Sequence, residues 1–188
     1  MNYRKWIFIS AGLFIFGLLL GLLVPTEGAG LFLKEAAALD EMAEIIAPLP
    51  QIAFFIFILL KNISVIILSL VLSPLLCIVP VITLVVNGGV IGLVSAIVVQ
   101  EESLPFLLAG LLPHGILELP ALIMGEAVAI SFGMAVLQGT FGKNKQDIIK
   151  SNLKSNLKYL AVSAGLFVAA AIIETFVTPV LLDRIASQ

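Results

Sequence analysis

The sequence predicts an all-α polytopic membrane protein with about five transmembrane helices, and its composition and hydropathy carry this prediction. Of the 188 residues, 61% are hydrophobic and 12% are charged, whereas an average soluble domain is about one quarter charged. The mean hydropathy is +1.19, and apolar runs of membrane-spanning length recur along the chain. We therefore expect a single integral membrane domain over residues 1–188.

The five predicted spans are separated by two polar intervals and two short turns. The intervals cover residues 25–50 and 139–159, and the turns are Ser73-Pro74 and the acidic QEES at residues 100–103. A helix needs roughly 20 apolar residues to cross the hydrocarbon layer. On that basis the spans are predicted at residues 6–24, 51–72, 75–99, 104–138 and 160–182.

Both polar intervals show helical periodicity and predict amphipathic helices at the membrane interface. In the first, which is acidic, Phe32, Ala36, Leu39, Ala43 and Ile46 recur at helical spacing. In the second, tandem KSNL repeats place an apolar stripe beside a stripe of lysines, which suits a surface of anionic lipid. These lysines are not interleaved with aromatic residues, so we predict no nucleic-acid partner.

The placement of lysine and arginine predicts the orientation of the chain in the cytoplasmic membrane. Arg4 and Lys5 precede the first span, and the loop from Lys143 to Lys158 precedes the last. The positive-inside rule places both segments in the cytoplasm. Five spans then leave the C-terminus outside.

Small residues predict where the helices approach one another closely. Two GxxxG pairs and a further small-residue ridge have the spacing that lets helix backbones meet in a membrane. The glycines concerned are Gly17 and Gly21 in the first span, Gly88 and Gly92 in the third, and Gly125 and Gly133 in the fourth.

The fourth segment is predicted to be broken or re-entrant over residues 113–120. Its 35 or so residues exceed one crossing. Pro113 suits the first turn of a helix, so a half-helix is expected to begin within the segment Pro113-His114-Gly115. Pro120 would interrupt the helix again. Non-helical backbone is tolerated at membrane depth only where protein or a water-filled cavity surrounds it.

The same segment carries ionisable side chains, which are expensive inside a bilayer and often mark functional sites. His114 and Glu118 are four residues apart, so they share one face of a helix. Their expected partners in a buried polar core or pathway are the other polar residues within the spans, namely Glu126, Asn62, Asn87 and Glu174.

Four interpretations of this polar core remain open. It can be structural, with its members satisfying one another, or it can line a pathway for an ion, proton or lipid. An intramembrane hydrolase is the third, but His114 is the only histidine and no HExxH motif occurs, so we predict neither metal nor cofactor. The fourth is a serine nucleophile, for which Ser131 has no assigned base.

One string in the fourth segment resembles the signature of a known family. PHGILELPA at residues 113–121, followed by Gly125, is similar to the motif of the stage II sporulation protein M family of integral membrane proteins. The resemblance implies a compact five-helix protein. The sporulation protein of that name is similar to a membrane anchor that works with cell-wall-degrading partners while one cell engulfs another. His114, Glu118, Asn62, Asn87 and Glu174 stand at motif positions, without an implied catalytic role.

The leading functional hypothesis is a non-enzymatic membrane scaffold with no catalytic residues. We expect it to form a homodimer through its helices in the lipid bilayer and to bind envelope proteins. The alternative is a transporter or channel component that moves an ion, proton or lipid along the polar core. Intramembrane hydrolysis ranks third.

Overall fold

A computed structural model of the chain describes residues 3–24, 30–46, 48, 50–140 and 145–187. These residues form α-helices without any strand: α1 (Tyr3–Leu23), α2 (Gly30–Ile46), α3 (Gln51–Leu72), α4 (Ile78–Glu101), α5 (Leu104–Thr140), α6 (Lys145–Phe176) and α7 (Thr178–Ala186). Helices α1, α3, α4 and α5, and α6 together with α7, supply five segments long and apolar enough to cross a membrane. The predicted helical, five-span membrane fold is confirmed.

The predicted break in the fourth segment is not present. Helix α5 continues through Pro113, Gly115 and Pro120 as one helix of 37 residues. A proline removes one backbone hydrogen bond, and here helices on several sides hold α5, which contacts α1, α3, α4, α6 and α7. At 1.5 Å per residue α5 is about 55 Å long. It therefore extends beyond a hydrocarbon layer of roughly 30 Å.

The last predicted span is the one that is interrupted. Helix α6 ends at Phe176 and α7 begins at Thr178, with Pro179 in the first turn of α7. Because Pro179 has no N–H, the carbonyl of Thr175 loses its usual helical donor. The prolines of the fourth segment predicted an interruption beside His114, and the structure has it on the neighbouring helix.

The lysine-rich interval does not form a separate surface helix in the described chain. Residues 145–159 continue directly into the last span as the first half of α6. Lys143 lies outside the described residues, whereas Lys150, Lys154 and Lys158 are exposed on α6. In the acidic interval the expected helix is α2, and Phe32 packs with Val90 and Leu93 of α4.

Four glycines bring the backbones of α1 and α4 into direct contact. A Cβ atom on any of them would collide with a carbonyl group of the other helix, the pairs being Gly17 with Val85, Gly21 with Gly89, Gly88 with Phe14 and Gly92 with Leu18. The paired numbers rise together, so α1 and α4 are parallel. Both GxxxG pairs thus pack against each other within one chain.

The two remaining glycines of the ridge pack α5 against α3 and its following turn. Gly125 faces Ile66, and Gly133 faces the carbonyl of Ser73 and the sulfur of Cys77. The Cys77 thiol also donates to the carbonyl of Ile130 at 3.6 Å. These contacts hold a turn in which Cys77 has the left-handed φ of 57°, a conformation that disfavours side chains with a Cβ.

Aromatic and basic side chains mark one end of the bundle. The rings of Tyr3 and Tyr159 stack with centroids 3.6 Å apart, and the Tyr3 hydroxyl donates to the carbonyl of Met124 at 2.9 Å. The Lys158 ammonium lies 4.9 Å from the centre of the Tyr159 ring, and Lys5 lies over Trp6. Aromatic rings beside cations are typical of the membrane–water interface. We therefore place one interface at this level.

Candidate functional site

Three ionisable side chains that are distant in sequence meet between α5 and α6. His114 and Glu118 lie one turn apart on α5, with 3.9 Å between His114 Nε2 and Glu118 Oε2. Glu174 of α6 joins them, and one ligating atom from each residue lies within 4.8 Å of the others. All three side chains are partly buried. The sequence predicted that His114 and Glu118 share one face of a helix. Their contact with Glu174 depends on how α5 and α6 pack together.

Thr178 at the start of α7 orients the imidazole. Its hydroxyl oxygen lies 3.4 Å from His114 Nδ1 and donates its single proton toward the carbonyl of Ile173, also at 3.4 Å. With its proton directed at Ile173, the hydroxyl oxygen can accept from His114, and in that tautomer the ring proton lies on Nδ1. Nε2 is left with a free lone pair facing Glu118. The sequence did not predict this contact, because nothing local links Thr178 to His114.

Lys61 of α3 adds a positive charge to this cluster. Its ammonium acts electrostatically on His114 and on Glu174, and the Glu118 carboxyl acts on Glu174. His114 is ten residues along α5 from Met124, which lies at the aromatic end of the bundle, a rise of about 15 Å. The cluster is therefore near the middle of a hydrocarbon layer roughly 30 Å thick.

The other residues of the predicted polar core do not all join this cluster. Asn87 donates to the carbonyl of Thr83, one turn earlier in its own helix, at 2.8 Å. Asn62 is buried on α3. Glu126 lies eight residues after Glu118 and is fully buried. Ser69 is close to Glu126, yet neither carboxyl oxygen has a hydrogen-bond partner of good geometry within the described residues.

Glu126 gives a prediction that separates a structural carboxyl from a functional one. A buried polar group without a partner costs roughly 1–3 kcal/mol, so Glu126→Met should raise the free energy of unfolding by about 1 kcal/mol. Denaturant titration of the purified protein measures this change, with Glu126→Gln as the polar control. Destabilisation by Glu126→Met would show that the carboxyl has a favourable partner.

A cavity of about 340 Å³ opens beside His114. Helices α2, α4, α5 and α7 form its walls, which are almost entirely apolar, with His114 and Ser95 as polar exceptions. Leu182 of α7 closes one side opposite Gly110. This volume is at the lower end of the range for small-molecule pockets, about 300–1,000 Å³.

Ser131, the one serine considered as a nucleophile, has a structural environment. It is buried, and its hydroxyl oxygen accepts from Asn152 at 3.0 Å and from Asn156 at 3.2 Å. Asn156 also donates to the side-chain oxygen of Asn152 at 3.1 Å. Within the described residues, the two groups that bond to this oxygen are amides, and an amide cannot act as the base that a serine nucleophile requires. These bonds tie α5 to the first half of α6.

Comparisons with known proteins identify relatives over most of the chain. The sequence model of one family, described as Stage II sporulation protein M, matches residues 10–179. An uncharacterized protein of Methanocaldococcus jannaschii is 32% identical over 133 residues, which cover 70% of this chain and 75% of that protein. No solved structure matches the chain significantly.

Proposed function

Because the chain belongs to the stage II sporulation protein M family and is a multi-pass helical membrane protein, we propose that it is a non-enzymatic membrane scaffold. In this proposal it assembles as a homodimer and holds envelope proteins together. The family is named after a sporulation protein, and the proposed role of this chain does not include sporulation.

The dense packing of α5 beyond Glu118 is the observation that carries this proposal. The apolar cavity reaches His114 from the side of α2, and His114 is the last residue of α5 in its lining. Beyond Glu118, the side chains of Ala121, Ala127, Val128 and Ala129 are fully buried. A conducting route needs polar groups or water along its length. The tightly packed centre instead favours a fixed framework on which other helices assemble.

The charge distribution supports an orientation with the N-terminus in the cytoplasm. Arg4 and Lys5 begin α1, which is stacked on α6 through Tyr3 and Tyr159 next to Lys158. The acidic residues Glu101 and Glu102 lie at the opposite end of α4, which is parallel to α1. Under the positive-inside rule the basic end faces the cytoplasm, and α7 then leads to the outside.

Crosslinking in native membranes tests the scaffold. Photoreactive residues are placed at exposed apolar positions on α3, such as Ile56 and Leu60, with buried Leu84 as the control position. We expect adducts with a second copy and with other membrane proteins from the exposed positions only. Recovery of monomer alone from both exposed positions would contradict the proposal. The glycine pairs of α1 and α4 already pack against each other within one chain. Assembly would therefore use exposed apolar faces such as that of α3.

A transporter or channel component is the second candidate, and the cavity beside His114 favours it. Its walls would accept an acyl chain more readily than a hydrated ion, because they are mostly apolar. Purified protein in liposomes would be assayed for lipid exchange between leaflets and for proton and ion flux. Movement above that of protein-free liposomes, abolished by Leu111→Trp in the cavity wall, would support this role. Its absence would remove it.

A further inference from the structure

In the tautomer with its ring proton on Nδ1, His114 turns its unprotonated nitrogen, Nε2, toward the Glu118 carboxyl group. This is the tautomer in which the Thr178 hydroxyl, with its proton directed at Ile173, accepts from His114 Nδ1, and Nε2 then presents a lone pair toward Glu118 Oε2 at 3.9 Å. Glu174 brings a second carboxylate to the same point. Three electron-pair donors converge there, and converging donors repel one another unless a cation lies between them.

We propose that His114, Glu118 and Glu174 bind a divalent metal ion, with Zn²⁺ as the ion that fits this donor set. One imidazole nitrogen and two carboxylate oxygens are ordinary zinc ligands. Zinc bonds of about 2.0–2.2 Å place tetrahedral ligands roughly 3.4 Å apart. The observed spacing, within 4.8 Å, reaches that value through side-chain movements of about 1 Å. The site does not depend on the proposed scaffold role.

The surroundings have the features of a metal site beyond the ligands themselves. A metal-binding histidine usually donates its second ring nitrogen to an oriented acceptor, and the Thr178 hydroxyl does so here. His114 also lines the cavity, which provides an entry path for an ion. The site joins α5 to α6 immediately before the interruption at Val177. A bound ion would fix the angle between these helices.

Lys61 competes with the metal for the same negative charge. Its ammonium acts on Glu174 and His114 from α3 and would repel a divalent cation bound there. The lysine side chain is flexible and only half-buried, so it can withdraw its charge when the ion arrives. Removing this charge should therefore strengthen metal binding. If the cluster were held together only by ion pairs, the same change would instead remove its cation and weaken it.

The test is a titration of chelator-treated full-length protein with Zn²⁺ in nanodiscs of neutral phosphatidylcholine. Calorimetry and elemental analysis measure affinity and stoichiometry, and Co²⁺ in place of zinc reports the ligand geometry through its visible absorption. We expect one Zn²⁺ per chain. His114→Ala should weaken binding by about 100-fold or more, and Thr178→Val by about 10-fold, with Thr178→Ser close to the parent.

Two variants separate a specific site from binding by scattered carboxylates. Glu126→Gln removes a buried carboxyl outside the cluster and should leave zinc affinity unchanged. Lys61→Met should bind zinc at least about 3-fold more tightly, by removal of a nearby positive charge. Circular dichroism and size-exclusion chromatography verify that each variant is folded.

The proposal is overturned if the folded parent protein binds less than one Zn²⁺ per chain at micromolar metal. Equal weakening by Glu126→Gln and His114→Ala would also overturn it, since binding would then be unspecific. If Lys61→Met is folded and binds zinc no better than the parent, the assigned position of the ion is wrong.

Discussion

Alanine in place of Gly88 should lower the free energy of unfolding by about 3 kcal/mol or more. The new Cβ would collide with the carbonyl oxygen of Phe14 and approach the backbone nitrogen of Leu18. Backbone atoms cannot move aside as a flexible side chain can, so α1 and α4 must separate along their contact. Loss of α1–α4 packing also exposes Gly17 and Gly21. Unfolding in mixed detergent micelles, followed by circular dichroism, measures the change.

Matched alanine controls are available within the same bundle. A Cβ atom added to Gly12 on α1 or to Gly165 on α6 would meet no atom within 4 Å, so alanine there should change stability by less than about 0.5 kcal/mol. The double variant Gly17→Ala with Gly88→Ala should cost less than the sum of the single variants, because either change already separates the helices. Stability of Gly88→Ala equal to that of Gly12→Ala would contradict the glycine contact.

Glu118→Leu should destabilise the metal-free protein by about 2 kcal/mol, whereas Glu118→Gln should cost less than half as much. Leucine removes the polar group that faces His114 Nε2 and leaves that nitrogen against an apolar side chain. Glutamine keeps a polar group at this position, and its side-chain amide N–H can donate to the Nε2 lone pair. Both variants should lose zinc affinity, so stability is compared in the presence of chelator.

The control for this pair is Leu119, the next residue on α5. Leu119→Gln is expected to destabilise the protein and Leu119→Met to be tolerated, the reverse of the order at Glu118, because Leu119 packs against the apolar core. Equal losses for Glu118→Leu and Glu118→Gln would show that the carboxyl group itself, rather than any polar side chain at this position, is required.

The spans were predictable because hydropathy and length depend on the local sequence. The second span was predicted at residues 51–72, and α3 is Gln51–Leu72. The pairing of His114 with Glu118 also followed from helical geometry alone. Glu174 was expected in the polar core, but its distance from these residues depends on the register between α5 and α6. A single sequence carries no direct signal of that register.

The prolines show where local rules fail. Pro113 and Pro120 predicted a break, yet α5 continues through both. Each proline removes one backbone hydrogen bond, and the five helices that pack against α5 hold it in place. The GxxxG pairs predicted close helix contacts without naming the partner helix. Both GxxxG pairs lie in the contact between α1 and α4 of one chain. The spacing of glycines within one helix does not indicate which other helix they contact.

Cysteine accessibility in native membranes tests the central claim, which is that His114 lies at membrane depth inside the bundle. In a Cys77→Ala background, His114→Cys, Glu102→Cys and Lys150→Cys are exposed to a bulky, membrane-impermeant maleimide from each side. Glu102 and Lys150 are exposed at opposite ends of the bundle, and each should label from one side only. We predict that the cysteine at position 114 reacts from neither side until the protein is denatured. Labelling at 114 as fast as at 102 or 150 in intact membranes would contradict the account.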